Sequence, residues 1–316
     1  MSDNVADLGE FGLIAAIAAR MPQTRHVVVG PGDDAAVVNA PDRRVVASTD
    51  LLVEGNHFRR DWSSGYDVGR RAAASNLADV VAMGAKPTAL LVGLGCPADL
   101  PTEWALRMAD GFREEGEILG VSVAGGDVVR SSSVIVSVTA LGDLDGRPPV
   151  LRAGARPGDV VAIAGRLGWA AAGLAVLSRG FRSPRVLVEA QRRPEVPYEA
   201  GLAAPGAGAT AMCDVSDGLL ADLGHIAEAS GVAVDVDTSA LAVPDEMRDP
   251  ARALGADPMV WILTGGEDHA LVATFPSDAV LPSGWRAIGT VGDGSGVTVD
   301  GAAYDRDAGH DHFRVP

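Results

Sequence analysis

The chain has a single lysine, Lys86, among its 316 residues, and it is followed by Pro87. A GxxxxGK[ST] P-loop needs a lysine directly before Ser or Thr, so this phosphate-binding motif is absent. The protein-kinase combination of a GxGxxG loop with a strand lysine is missing as well. Any phosphoryl chemistry in this chain must therefore rely on metal ions, arginines and backbone amides.

Cysteine, aromatic side chains and long apolar runs are also scarce. The two cysteines, Cys96 and Cys213, have no CxxC spacing, which predicts free thiols rather than a disulfide framework or a zinc site. No apolar run approaches the roughly 20 residues that span a bilayer, and 11–19 fits a helix before Pro22. Met1–Asn4 lacks the basic segment of a signal peptide. We therefore expect a cytoplasmic protein with no membrane partner.

Basic residues are few relative to acidic ones, 26 against 42, and the net charge is −16. Such a chain lacks the basic face that nucleic acids need, so no nucleic-acid partner is expected. The acids cluster beside Gly, Ser and Thr, where hard cations such as Mg²⁺ find oxygen ligands. Metal ions would also let an anionic substrate approach. The clusters are GDD (32–34), STD (48–50), NLAD (76–79), GGD (125–127), DVSDG (214–218) and GGED (265–268).

Strand-like and helix-like segments alternate along the whole chain, which predicts an α/β (α+β) fold with strand order left open. A strand is predicted over 133–144 from its alternating pattern, and a buried helix over 67–83 from its apolar composition. The Asp145–Pro149 turn predicts a boundary between two domains, 1–147 and 148–316.

Ser48-Thr49-Asp50 is predicted to end a strand that begins at Arg44. Strand alternation sends Ser48 and Asp50 to one face and Thr49 to the other. Three oxygen ligands after a strand suit a metal site, and the alternative is a turn in which Asp50 caps. Asp33, which follows GPG, is also a candidate ligand of a divalent cation, and the alternative there is a solvated acidic turn.

Asn76 and Asp79 share one face of the predicted buried helix because they are three residues apart. A buried carboxylate needs a metal or polar partners, so a metal site and a helix-to-loop hydrogen bond both remain open. Gly126 and Asp127 follow a short strand over 121–123, and the glycines would let backbone amides approach an anion.

Asp214 and Asp217 flank Ser216 where a strand over 211–213 gives way to a helix over 217–229. Ser216 is expected to cap that helix and to expose amides toward phosphate. The two aspartates are candidate Mg²⁺ ligands, and an ordinary capping segment is the alternative. Glu267 lies in GGED, which parallels GGD and hints at a comparable role.

Taken together and in this order, these motifs resemble the thiamine-monophosphate kinase family, whose superfamily includes aminoimidazole ribonucleotide synthetase and selenophosphate synthetase. The resemblance rests on GDDAA (32–36), STDLLVEGNHF (48–58), NLADVVAMGAKP (76–87), GGD (125–127), LRAGARPGD (151–159), DVSDGLLADLGHI (214–226), GGED (265–268) and GHDHF (309–313). It implies phosphorylation of thiamine monophosphate by ATP to thiamine diphosphate, by direct in-line transfer assisted by several Mg²⁺ ions. It also implies a homodimer in which N-terminal sheets pair, with a C-terminal α/β domain completing the active site.

The resemblance assigns a role to each matching residue. The catalytic group would be Asp50, Asp127 and Asp217. The implied metal ligands are Asp33, Ser48, Thr49, Asp50, Asp79, Asp127, Asp214 and Asp217. The implied ATP contacts are Gly126, Asp127, Arg152 and Ser216. The implied contacts to thiamine monophosphate are His57, Glu267 and Phe313.

The chain departs from the family pattern at Ala78, Val128 and His269, none of which removes a carboxylate. Selenophosphate synthetase would carry a catalytic Cys or its equivalent and a Lys near the N-terminus, and neither occurs before Lys86. Aminoimidazole ribonucleotide synthetase is a further alternative, against which the STDLLVEGNHF segment argues. A non-catalytic acidic module that binds Ca²⁺ or a basic protein would spread its acids over exposed faces, whereas here they cluster.

Overall fold

The computed structural model describes residues 4–31, 35–305 and 309. The chain forms two units, one of Met1–Val80 with Ala85–Arg147 and the other of Val81–Gly84 with Pro148–Pro316. Each unit has its own principal sheet.

The first unit begins with helix α1 (Val5–Ala18), which starts earlier than the apolar run at 11–19. It starts there because Asn4 and Asp7 form a reciprocal capping box, each side chain accepting a hydrogen bond from the other's backbone N–H. The following elements are β1 (Val27–Val29), β2 (Val37–Val38), β3 (Val46–Val53), α2 (Gly65–Ala82), β4 (Lys86–Cys96), α3 (Thr102–Leu119), β5 (Ser122–Arg130) and β6 (Ile135–Asp143).

The main sheet of this unit has the order β3-β6-β4-β5, with β4 and β5 parallel and the other two pairs antiparallel. The predicted alternation in β6 is confirmed, since Val136, Val138 and Ala140 are fully buried and the residues between them are half-exposed. The opposite face is partly open to solvent, as the 55% exposure of Leu51 shows.

Helix α2 is buried from Arg71 to Ala78, which confirms the prediction of a buried helix. It begins at Gly65 because Ser64 and Asp67 cap each other's backbone N–H groups. A buried helix of this kind can carry polar side chains only where a partner meets them.

The second unit contains more elements than the sequence predicted. They are β7 (Val160–Ala164), α4 (Trp169–Ser178), α5 (Arg185–Arg192), α6 (Tyr198–Ala203), β8 (Ala211–Val215), α7 (Leu219–Ser230), β9 (Ala233–Val236), α8 (Asp245–Leu254), α9 (Pro258–Thr264), β10 (Ala270–Phe275), β11 (Trp285–Gly292), β12 (Gly296–Val299) and β13 (Ala302–Ala303).

These strands form one sheet of order β13-β12-β9-β11-β7-β10-β8. Among the described strands, β9 pairs in parallel with β12, and the other neighbouring pairs are antiparallel. Mixed sheets with helices in both units confirm the predicted α/β (α+β) class. No helix in the described part of the chain is long and apolar enough to cross a membrane.

Candidate active site

In the first unit, strand β3 carries Ser48, Thr49 and Asp50 in its middle. The prediction that this triplet ends a strand was wrong, because β3 pairs with β6 along its whole length, from Val46 to Val53. The predicted alternation holds: Ser48 and Asp50 lie on the half-buried side and Thr49 on the exposed side.

Ser48 meets Asp79 of α2 across the half-buried side of the sheet. The Ser48 hydroxyl donates to Asp79 Oδ2 at 2.6 Å. Asn76, one turn earlier on α2, is fully buried; its Nδ2 donates to Ala72 O at 2.9 Å, while its Oδ1 has no hydrogen-bond partner among the described residues. Hydroxyl, carboxylate and amide oxygens are ligands that suit Mg²⁺, so this set fits such an ion.

The Thr49 hydroxyl is engaged on the other side of the sheet. It donates to Val138 O at 2.9 Å and accepts from Thr139 Oγ1 at 3.1 Å. The structure therefore does not bring the Thr49 side chain together with those of Ser48 and Asp50.

The GGD triplet lies inside β5 and not after a short strand, so that prediction was also wrong. The glycine at 126 is required by close approach to β4, since a Cβ there would lie 1.9 Å from Val92 O. The Asp127 side chain is exposed, and its Oδ1 accepts from the backbone N–H of Val128 at 2.9 Å.

An apolar cavity of about 860 Å³ lies within the first unit, bordered by Gly126 and Asp127. Its walls include Ile14 of α1, Leu91 of β4 and Phe112 of α3. Sequence reasoning missed this cavity. The available signal was the uninterrupted apolar run of α1 from Phe11 to Ala18, which leaves that part of the helix without a polar side to turn toward solvent.

His57 follows β3 and is half-buried. Its Nδ1 accepts from the backbone N–H of Val53 at 3.0 Å, so the proton of the neutral ring is on Nε2. The loop is fixed further by Glu54, whose carboxylate accepts from Val134 N at 3.0 Å and from Arg60 Nε at 2.5 Å.

In the second unit, β8 extends to Val215 and α7 begins at Leu219, so DVSDG spans the end of the strand and a short loop. The prediction that Ser216 caps the helix was wrong. Gly218 is the N-cap, and Asp222 in the first turn reaches back to accept from the N–H groups of Asp217 and Gly218, each at 3.1 Å.

The loops 214–218 and 265–269 are joined backbone to backbone. Glu267 N donates to Ser216 O at 2.8 Å, and His269 N donates to Val215 O at 3.1 Å. A Cβ at Gly266 would lie 2.1 Å from Ser216 O, so this position needs glycine. Glu267 and His269 adopt left-handed backbone conformations, with φ of 71° and 50°.

Asp214 and His269 are both buried and face each other. His269 Nδ1 lies 3.0 Å from Asp214 Oδ2. His269, one of the three departures from the family pattern, therefore places a hydrogen-bonding ring against a candidate metal ligand.

Two further buried carboxyl groups adjoin these loops. Asp268 Oδ1 accepts from Ala170 N at 2.8 Å at the start of α4, and burial raises the pKa of Asp268 to about 7. Burial, followed by the charge of Asp214, raises the pKa of Asp222 to about 7. Asp268 thus ties the GGED loop to a helix N-terminus, where a carboxylate is favoured.

A candidate cation position in the second unit consists of Asp217, Asp222 and His225, whose ligand atoms all lie within 4.8 Å of one another. Oxygen atoms dominate this set, which fits Mg²⁺. Sequence reasoning missed Asp222 and His225, although their spacing of three residues on α7 placed them on one helix face.

Three predicted residues remain: Arg152, Asp33 and Phe313. Arg152 is exposed, and its backbone carbonyl accepts from Ser230 Oγ at 3.1 Å. Asp33 and Phe313 lie outside the described residues. Gly309 is described, and a Cβ there would lie 2.6 Å from Asp217 O.

Comparison with known proteins agrees with these motifs. The chain matches the models "AIR synthase related protein, N-terminal domain" over residues 32–144 and "AIR synthase related protein, C-terminal domain" over residues 156–301. It is 50% identical over 317 residues to the thiamine-monophosphate kinase of Mycobacterium tuberculosis, covering 100% of this chain and 95% of that protein. The chain belongs to the thiamine-monophosphate kinase family.

Another member of the thiamine-monophosphate kinase family, from Corynebacterium glutamicum, is 41% identical, covering 91% of this chain and 87% of that protein. Solved structures of the family share the fold. AaThiL complexed with AMPPCP and TMP has a TM-score of 0.81 at 32% identity, covering 99% of this chain and 100% of that one. The Stenotrophomonas maltophilia thiamine-monophosphate kinase has the same TM-score and identity, covering 92% and 96%.

Proposed function

We propose that this chain phosphorylates thiamine monophosphate with ATP to form thiamine diphosphate, the last step in making that cofactor. Support comes from full-length relatives that are thiamine-monophosphate kinases and from AaThiL, whose complex contains AMPPCP and TMP. The observation that carries the proposal is the gathering of hard oxygen ligands from distant segments, with Ser48 at 2.6 Å from Asp79 and loop 214–218 joined to loop 265–269.

The metal ligands in this proposal come from both units. They are Asp33, Ser48, Asp50, Asp79, Asp127, Asp214 and Asp217; Thr49 is left out of the set because its hydroxyl is engaged by Val138 and Thr139 on the other face of β3. Bound Mg²⁺ would neutralise the phosphate charge of ATP and of the acceptor. The fold positions these side-chain oxygens for the ions. Asp50, Asp127 and Asp217 are the proposed catalytic carboxylates.

ATP would be held by Gly126, Asp127, Arg152 and Ser216. The cavity of about 860 Å³ beside Gly126 offers apolar walls for the base of ATP. Gly126 keeps the β5 backbone close to β4 at this border, and as a glycine it has no side chain of its own to obstruct an approaching phosphate.

Thiamine monophosphate would be bound by His57, Glu267 and Phe313. An oxygen of its phosphate is already a nucleophile at neutral pH, so it attacks the γ-phosphorus of ATP directly as the bond to the β-phosphate oxygen breaks. No covalent enzyme intermediate is needed, and catalysis is positioning with charge neutralisation.

A homodimer in the cytoplasm completes the proposal. The open face of the first unit's sheet supports a second copy as partner, since Leu51 and Val129 are 55% and 54% exposed there. The proposed N-terminal domain, 1–147, would then bind ATP and Mg²⁺ and dimerise, and the C-terminal domain, 148–316, would supply the remaining site residues.

The test is thiamine diphosphate formation from thiamine monophosphate and ATP, with Mg²⁺ or with EDTA, alongside Asp50→Asn. The proposal expects product only with Mg²⁺ and almost none from the variant. Turnover of ATP with thiamine monophosphate unchanged would show that the substrate is a different one. Absence of ATP turnover with any acceptor would reject the enzyme altogether.

A further inference from the structure

His269 connects the two loops of the second unit through its side chain as well as its backbone. Its Nδ1 lies 3.0 Å from Asp214 Oδ2, and the two side chains are 8% and 6% exposed. An ionised carboxylate can only accept a hydrogen bond, so the ring donates its Nδ1–H. This buried contact defines both the tautomer of the ring and the orientation of the carboxylate.

We propose that His269 is a positioning residue that holds the Asp214 carboxylate in the orientation needed to bind Mg²⁺. This role rests on the proposed function, in which Asp214 is a metal ligand. A hydrogen bond to one oxygen fixes the rotation of the carboxylate and leaves the other oxygen for the cation. Groups that orient metal-binding side chains in this way commonly change metal affinity by about 10–100-fold when they are removed.

The backbone at position 269 supports the assignment. His269 has φ of 50°, in the left-handed region that residues other than glycine seldom adopt. Such a conformation persists where surrounding contacts over-determine it. Here the contacts are the bond from His269 N to Val215 O and the register that pairs Ala270 with Val215 and Leu271 with Asp214. The pairing of β10 with β8 therefore places the His269 ring beside Asp214.

Two substitutions separate the ring's hydrogen bond from its backbone role. His269→Asn keeps a donor near the position of Nδ1, and Asn tolerates positive φ. His269→Gly also tolerates positive φ but has no donor. The measurements are Mg²⁺ affinity by calorimetry without substrates, and the Mg²⁺ concentration for half-maximal thiamine diphosphate formation.

We expect His269→Gly to weaken Mg²⁺ binding about tenfold, because the orienting donor is lost. His269→Asn should weaken it less than about threefold, because a donor is retained. Nitrogen NMR of the wild-type imidazoles adds a readout independent of activity. The imidazole signal that is present in the wild type and absent in His269→Asn should be that of a ring protonated on Nδ1.

An unprotonated Nδ1, unchanged Mg²⁺ affinity in His269→Gly, or equal losses in both variants would overturn the positioning role alone. Wild-type protein that neither binds Mg²⁺ nor forms thiamine diphosphate would instead reject the proposed function, and this role with it.

Discussion

The two units hold their candidate site residues in different ways. In the first, Ser48, Asp50 and Asp127 stand on regular strands whose pairing sets the face of each side chain. In the second, Asp217 and Glu267 lie in two loops joined by backbone hydrogen bonds, whose donors Glu267 and His269 both have left-handed backbone conformations. Sheet register therefore places the first group, and a small set of reciprocal loop contacts places the second.

Replacing one carboxylate in the loop region tests whether the second unit is as necessary as the first. Asp217→Asn should lower kcat/KM by about 10³-fold, the upper range for removing one group that stabilises transferred charge. The measurement is steady-state thiamine diphosphate formation. The control is Asp245→Asn, since the Asp245 side chain on α8 is 95% exposed. Retained activity in Asp217→Asn would assign the chemistry to the first unit alone.

The buried Asp268 should make the second unit's stability depend on pH. Its folded-state pKa of about 7 exceeds the unfolded value of 3.8 because burial disfavours the charged form. Between pH 4 and 7 the folded protein holds a proton that the unfolded chain has released, so stability falls as pH rises through this window.

Asp268→Asn removes this titration. The difference in free energy of unfolding between wild type and variant should change by on the order of 3 kcal/mol between pH 4 and 7, in favour of the variant at higher pH. Urea denaturation across that range gives the measurement. A pH-independent difference would show that Asp268 is not a buried titrating group.

Two glycines give a direct contrast between strand and loop. Gly126→Ala should lower the free energy of unfolding by about 1–3 kcal/mol, because the added methyl would force β5 from β4. Gly266→Ala should chiefly reduce turnover, since it displaces Glu267 and His269 from loop 214–218. The control Gly224→Ala, with open space around its Cβ, should be neutral or stabilising.

Thermal and urea unfolding, with kcat on the same samples, check both variants. If Gly266→Ala and Gly126→Ala lost stability and turnover in the same proportion, the distinction between a strand site and a loop site would fail.

The smallest expected effect distinguishes the two faces of β3. Ser48→Ala should raise the Mg²⁺ requirement about tenfold, because Asp79 loses the hydroxyl that orients it. The wild-type Thr49 hydroxyl bonds to Val138 and Thr139 on the other face of β3. Thr49→Val keeps a β-branched side chain suited to a strand, so the Mg²⁺ requirement should stay nearly unchanged. A larger effect from Thr49→Val would place a metal-binding role on that hydroxyl.

The sequence predicted the strand-borne residues better than the loop-borne ones. Alternation alone placed Ser48 and Asp50 opposite Thr49, and composition alone predicted that α2 is buried. The sequence could not show that β5 continues through GGD, because two adjacent glycines are typical of a turn. Only the structure shows that the backbone of β4 occupies the space where a side chain at 126 would lie.

Ser216 illustrates the limit in the loops. Its position before a helix is typical of an N-cap, but the N–H of Gly218, which such a cap would bond, is taken by Asp222 from within the helix. The contact between Asp214 and His269 joins residues far apart in sequence, so only the β8 and β10 pairing brings them together.

Strand β7, in the interior of the second unit's sheet, affects the order in which the chain can fold during synthesis. Its two neighbours, β10 and β11, both come much later, whereas the first unit's sheet is complete once Asp143 has been made. Chains fold from the N-terminus as they emerge, so Val160–Ala164 is available without either partner while about a third of the protein is translated. An apolar strand with two open edges is the segment that a ribosome-associated chaperone would need to shield from other nascent chains.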